Sequence, residues 1–256
     1  ELNPDFVSIT NSSTGLTPHR TTGLSKALKE KTSFEIMVHL TCVSHTKKEI
    51  KAIVSELKEI GIDNILALRG DIPDAKEVNA NNDYAYANEL VADLRSVGDF
   101  SIGVAAYPEK HPEVRTLEED ILNLKKKIDA GADFAITQLF FDNNFYFDFM
   151  GKCAQMGVNI PIIPGIMPIT NYKQLASFTQ MMGVKIPKTL AVNIEKYSGD
   201  RESLMKFSVD YATKQSLQLL ERGAKGIHFY TLNRSKATKQ ILKSIMAHEK
   251  QNKVIK

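Results

Sequence analysis

Cysteine is scarce in this 256-residue chain: Cys42 and Cys153 are the only two, with no CxxC and no Cys/His spacing. That excludes a disulfide framework and a structural zinc site of familiar spacing, and suits a reducing, cytoplasmic setting. Long apolar runs are missing too. None approaches the roughly 20 residues of a membrane-spanning helix. The opening ELNPDFVSIT has neither the basic start nor the apolar core of a secretory leader. It also lacks Met, which suggests a trimmed start. No GxGxxG follows any apolar run, which argues against an open doubly wound sheet that binds dinucleotides. Charge of one sign is not in excess: 33 basic against 30 acidic residues leave a net +3. Nucleic-acid binding would need a clustered basic patch. The one clear basic cluster, Lys236 to Lys256, reads as a solvated helix face and tail.

What is present is alternation. Short apolar runs read as strands at Phe6–Thr10, Phe34–Cys42, Asn64–Gly70, Phe100–Tyr107, Phe134–Phe141, Ile160–Ile166 and Gly226–Leu232. They are rich in Val, Ile and Phe and mostly apolar on both faces, as a parallel sheet covered by helices requires. Helical patterns lie between them. In Thr46–Ile60, Thr46 and Glu49 have capping-box spacing, Ile50, Ile53, Val54 and Leu57 repeat at the helical period, and Gly61 stops the run. Thr116–Ala130 repeats the design with Thr116 and Glu119, then Ile121, Leu124 and Ile128, then Gly131. Further helices fit Thr22–Glu30, Tyr84–Val97, Asn144–Met156, Tyr172–Met182, Glu202–Arg222 and Lys236–Glu249. Seven strands and eight helices, ending on a helix, predict an α/β fold, a (β/α)8 TIM barrel forming one catalytic domain over residues 1–256. The count leaves the first strand missing from this stretch and one helix extra, with the Glu202–Arg222 region or the loop before it as the place for an insertion.

Barrel sites form at the C-terminal ends of strands, and polar residues gather there. Thr10 and Asn11 follow the first strand, and His39 and Thr41 lie in the second. Arg69, Gly70 and Asp71 end the third. The fourth ends on Ala106 and Tyr107, followed by PEKHPE with His111, the fifth carries Thr137 and Gln138, the sixth runs into PGIMP, and the last ends TLNR with Asn233 and Arg234. Each has an ordinary structural use. His39 would be a bonded core histidine, Arg69 and Asp71 an ion pair on one strand face, and Gln138 a partner for backbone groups. Their convergence on one rim favours a site. Asp120, Asn123 and Lys127 share a helix face. Spacing alone makes it a solvated face, and the same donors and acceptors would serve to hold a ribose and phosphates.

The ordered set ILALRGDIP, VAAYPEKHPE, LNLKKKIDAGADFAITQLFFD, IPGIMPI and HFYTLNR, with FVSIT and VHLTC before it, resembles the methylenetetrahydrofolate reductase family over nearly the whole chain. The resemblance implies an FAD-containing barrel that reduces 5,10-methylenetetrahydrofolate to 5-methyltetrahydrofolate with NADH or NADPH, in ping-pong order. It implies FAD contacts at Thr10, His39, Arg69, Gly70, Asp71, Tyr86, Ala87, Tyr107, His111, Asp120, Asn123 and Lys127. Folate or nicotinamide would meet Asp71, Gln138, Gln174, Phe178 and Arg234. Asp71 would stabilise the cationic iminium formed when the folate ring opens, Gln138 would meet the pterin edge, and Arg234 a carboxylate of the folate tail. Phe178 would cover the bound ring. A homo-oligomer is expected, with an electron-transfer partner subunit as a further option.

Two departures stand out. The family's FEFFPP-like first strand, with its glutamate acid, has no counterpart here, and Glu1 does not replace it. After Thr10 the chain reads NSSTGL where the family often has YGAGGS, which puts Asn11 and Ser13 at positions that touch FAD or nicotinamide in some members and leaves the electron donor open. The alternative reading is a catalytically silent FAD-binding subunit that supports a partner. A proline dehydrogenase-like barrel fits FAD but not the motif order. A sugar-phosphate barrel needs glycines after the last two strands that PGIMP and TLNR do not supply.

Overall fold

The structure, a computed structural model, describes residues 2–10, 18–43, 45–71, 82–171, 179 and 181–254. Asn11, Ser13, Gln174 and Phe178 lie outside these residues, as does most of the expected helix Tyr172–Met182. The chain packs as two compact units. One comprises residues 3–105 and 123–135, the other residues 106–122 and 136–256.

The first unit holds β1 (Phe6–Ile9), α1 (Pro18–Lys31), β2 (Glu35–Thr41), α2 (Lys47–Glu59), β3 (Asn64–Leu68), α3 (Ala87–Val97) and nearly all of β4 (Ser101–Ala106). Its strands are parallel neighbours: Val38 of β2 lies opposite Ile9 and Ile65, and Leu66 of β3 opposite His39 and Gly103. β2 is buried from Ile36 to Thr41, which accounts for its apolar Ile36, Met37, Val38 and Leu40. α2 forms as its spacing predicts. Thr46 Oγ1 accepts from the Glu49 N–H at 3.2 Å, and Glu49 Oε2 accepts from the Thr46 N–H at 2.7 Å. Ile50, Ile53, Val54 and Leu57 are buried, each such burial stabilising by about 1.5–3 kcal/mol.

The end of α3 is tied to the turn before β5 (Phe134–Thr137) by one side chain. Arg95 Nη1 donates to Phe100 O at 2.9 Å, its Nε to Gly131 O at 3.2 Å, and its Nη2 to Asp133 Oδ2 at 2.7 Å. The same Asp133 oxygen accepts from the Ile102 N–H at 2.7 Å. Arg95 thereby holds the start of β4 and the approach to β5 in one network.

The second unit takes the end of β5, α5 (Asn143–Gln155), β6 (Ile162–Ile163), β7 (Gly165–Ile166), α6 (Lys188–Lys196), α7 (Arg201–Glu221), β8 (His228–Phe229) and α8 (Ser235–Val254). α4 (Leu117–Asp129) is shared, its first residues here and the rest in the first unit. One sheet runs in the order β1-β2-β3-β4-β5-β6, and β7 pairs in parallel with β8. This is the strand–helix alternation of the (β/α)8 class that the sequence predicts. The single expected strand Ile160–Ile166 is divided at Pro164. Proline has no N–H for a ladder, but the Pro164 carbonyl accepts from the His228 N–H at 3.0 Å.

Several boundaries differ from expectation. β3 ends at Leu68, before the polar Arg69, and β5 at Thr137, although the buried Leu139, Phe140 and Phe141 follow Gln138. α6 was not expected. It lies in the loop before α7, one of the two places open to an insertion. Its Leu190 and Ile194 are buried with Leu139, Phe141, Met167 and Leu204. Nine residues with two apolar anchors give little periodic signal. The α4 capping box is offset: Thr116 Oγ1 accepts from the Glu119 N–H at 3.1 Å, but Glu119 returns to the Arg115 N–H at 3.0 Å. The C-terminal basic cluster is a solvated face as far as it is described. Lys236, Lys239 and Lys243 are exposed on α8 while Ala237, Ile241 and Ile245 are buried.

Arg95→Ala leaves the Asp133 and Gly131 acceptors without that partner, and we expect it to lower unfolding free energy by about 1–3 kcal/mol. Urea melts of the two proteins check this. An unchanged midpoint would show that the network carries no net stability.

Candidate functional site

The main chain stays paired past the ends of its strands. In the first unit the Cys42 N–H donates to Leu68 O at 3.0 Å and the Val43 N–H to Arg69 O at 2.8 Å. The tip of β2 therefore holds the backbone of Arg69. Gly70 has φ 90°, a left-handed conformation that strains any residue with a side chain. The chain turns here, so Arg69 and Asp71 do not share a strand face as their spacing suggests. Arg69 and Gly70 are half-buried and Asp71 is exposed. His39 is buried on β2, and Thr10 is exposed just past β1. Cys42, fully buried behind the tip, has its thiol pushed up to about 12 by burial, so it is not a nucleophile at neutral pH.

Tyr86 caps α3 with its ring 60% exposed, and Ala87 opens the helix half-buried. The loop before them is moored to the start of α2. Tyr84 is buried and its hydroxyl donates to Asp93 Oδ2 at 2.9 Å. The Lys47 ammonium lies 3.5 Å from the same oxygen, and the Lys47 N–H donates to Asp83 Oδ2 at 2.9 Å. Glu89 accepts from the Ala85 N–H at 2.7 Å. On α4, Lys127 Nζ donates to the Ala105 carbonyl at 2.6 Å and Asn123 Oδ1 accepts from Lys126 Nζ at 3.0 Å. Lys127 is thus joined to the end of β4 rather than lying on a purely solvated face.

The second unit carries the other strand ends. Asp120, buried at the start of α4, accepts from the His111 N–H at 2.7 Å and so holds the PEKHPE loop. The Glu113 N–H donates to His111 Nδ1 at 3.2 Å. Nδ1 is then an acceptor, and the neutral ring assigned from this bond carries its hydrogen on Nε2, a donor suited to a phosphate or hydroxyl oxygen. Tyr107 meets the His111 ring edge-on, centroids 4.8 Å apart. Gln138, half-buried just past β5, donates its N–H to Ala106 O at 2.7 Å, and its Oε1 accepts from the Leu139 N–H at 2.9 Å. Its amide NH2 is the group it offers beyond the strand. Arg234 is exposed, in a turn closed by its N–H on Thr231 O at 2.8 Å.

Sequence reasoning did not find the strain in these loops. Lys110, Leu232 and Asn233 have φ of 64°, 49° and 59°. Asn tolerates this region; Leu does not. Leu232 is also 48% exposed. Nor did it single out Glu109, whose Oε2 accepts from the Lys185 N–H at 3.1 Å while Oε1 is buried without a hydrogen-bond partner among the described residues. Burial pushes this carboxyl up to about 6. No helix among the described residues is long and apolar enough to cross a membrane.

The family model described as methylenetetrahydrofolate reductase matches residues 1–246. The 5,10-methylenetetrahydrofolate reductase of Salmonella typhimurium is 41% identical over 234 residues, 91% of this chain and 78% of its own length. Methylenetetrahydrofolate reductase (NADH) 1 of Arabidopsis thaliana is 36% identical over 255 residues, 94% of this chain and 43% of its own. Among solved structures, a Clostridium thermocellum protein described as binding two copies of 5-methyl-5,6,7,8-tetrahydrofolic acid superposes with a TM-score of 0.51. It is 16% identical and covers 94% of this chain and 93% of its own. At that identity the likeness is one of fold alone.

Glu109 gives the site a pH signature. A carboxyl that binds its proton more tightly when folded favours the fold most below its usual 4.5, and the contribution falls as pH rises through about 6. Glu109→Gln removes this slope. Denaturant midpoints measured from pH 4.5 to 7 are expected to decline less in the variant than in the parent. Parallel curves would contradict the assignment.

Proposed function

The chain belongs to the methylenetetrahydrofolate reductase family, and on that premise we propose that it reduces 5,10-methylenetetrahydrofolate to 5-methyltetrahydrofolate, with FAD as its cofactor and NADH or NADPH as the electron source. The observation that carries the reading is the family match over residues 1–246. The described residues singled out for the site support it. Each lies at or just past the C-terminal end of a strand, or at the following helix, where enzymes of this fold class do their chemistry.

The donor set suits a flavin dinucleotide. In the first unit Arg69 and Lys127 are cations near strand ends, Tyr86 presents an exposed ring, and Gly70 adopts a turn that a side chain would strain. In the second, His111 has a ring N–H for a phosphate or ribose oxygen and Tyr107 packs against it. We assign Thr10, His39, Arg69, Gly70, Asp71, Tyr86, Ala87, Tyr107, His111, Asp120, Asn123 and Lys127 to the FAD. When bound, that group supplies hydride transfer from the nicotinamide to the folate.

The protein's own groups bind, orient and balance charge. Asp71 would supply a carboxylate to the cationic iminium that forms when the folate ring opens. Gln138 would direct its amide at the pterin edge, and Arg234 would pair with a carboxylate of the folate tail. Gln174 and Phe178 complete the proposed folate contacts. Asp120 acts one step back, fixing the His111 backbone and with it the ring's approach.

The test is anaerobic. The purified chain should carry yellow flavin. After photoreduction, 5,10-methylenetetrahydrofolate should restore the flavin band with 5-methyltetrahydrofolate formed. Flavin that stays reduced would favour a silent flavin-binding subunit. Asp71→Asn should keep the flavin and slow this reoxidation about 100-fold or more. A rate within twofold of the parent would remove Asp71 from the mechanism.

A further inference from the structure

The second unit contains a lock whose parts meet at one peptide. Tyr230 follows β8, and its N–H continues the ladder onto Ile166 O at 2.9 Å. Its side chain extends across the neighbouring strand, and the hydroxyl donates to the carbonyl of Thr137, at the end of β5, at 2.7 Å. The ring passes over Gly165. A Cβ there would lie 2.5 Å from Tyr230 Cε2 and 2.4 Å from Thr137 O, so only glycine leaves the path open. The Gly165 N–H donates to Thr137 Oγ1 at 2.9 Å. Three strand ends are thereby joined at Thr137.

The Thr137 carbonyl belongs to the peptide that begins Gln138. The other side of that peptide is held as well, because the Gln138 N–H donates to Ala106 O at 2.7 Å. A planar peptide gripped at both its C=O and its N–H has a fixed orientation, which places the Gln138 Cα and so the point from which its side chain leaves the strand. Burial raises the pKa of the Tyr230 hydroxyl, which stays a donor over any working pH. His228 packs edge-on against the ring with centroids 5.0 Å apart. Burial lowers its pKa to about 4, so it is neutral there.

We propose that Tyr230 is a positioning residue for folate. Its hydroxyl, reaching over Gly165 to the Thr137 carbonyl, orients the Gln138 amide toward the pterin edge. This rests on the reading of Gln138 as a folate contact. Tyr230 touches no substrate; it acts through one peptide plane. The glycine of PGIMP and the tyrosine of HFYTLNR are two halves of one device.

A double-mutant cycle tests it, read by calorimetric titration of the flavin-loaded enzyme with 5-methyltetrahydrofolate. Gln138→Ala is expected to weaken binding about tenfold, the loss of one hydrogen-bonding group. Tyr230→Phe keeps the ring over Gly165, removes only the hydroxyl, and should weaken binding by about five- to tenfold. Because both act through the same amide, the double variant should bind no more than about twofold weaker than Gln138→Ala alone. If Tyr230→Phe does not fold, Tyr230→Met takes its place in the cycle. Losses that multiply in the double variant, or a Tyr230 variant that binds as the parent does, overturn the positioning role and leave the folate reading standing. Parent-like binding by Gln138→Ala overturns the folate reading of Gln138 and the inference with it.

Discussion

Neighbouring parallel strands keep their main-chain groups paired past the last regular residue, and that pairing orients the strand ends from which the candidate site residues leave. A buried N–H or C=O left unpaired costs as much as a lost hydrogen bond, so neighbouring strands keep pairing into the loops. The tip of β2 holds the Arg69 carbonyl, the Ala106 carbonyl receives the Gln138 N–H, and Tyr230 closes on the Thr137 carbonyl. The polar residues that follow leave the sheet from positions their neighbours have set.

The strain in the molecule lies in the same places. The non-glycine residues with positive φ among the described residues, Lys110, Leu232 and Asn233, all lie in loops that follow a strand's C-terminal end. The opposite ends of the strands are held differently. Arg95 and Asp133 there join backbone groups of two successive αβ connections, a network that contains no residue singled out for chemistry.

Much of this was legible in the chain. All seven expected strands occur, since a strand buried on both faces is largely apolar along its length. The α2 capping box formed as spelled by Thr46 and Glu49, because both partners lie within one turn. α6 was hidden: its burial comes from Leu139, Phe141 and Leu204, which are distant in sequence. Arg69 and Asp71 look like an alternating pair until Gly70 turns the chain between them. Asp120 and Lys127 look like a solvated stripe until their partners, the His111 N–H and the Ala105 carbonyl, come from other segments.

The sequence by itself determined the class of element over most of the described residues, and the family, because apolar periodicity and local capping depend on near neighbours and the motif order survives in one dimension. Tertiary structure alone decided which groups hold which. The ring of Tyr230 reaches a carbonyl 93 residues away in sequence across a glycine. The tautomer of His111 follows from the fold of its own loop, and the raised carboxyl of Glu109 from burial beside Lys185. Hydrogen-bond direction and desolvation are properties of surroundings in space. They take their values only when distant segments meet.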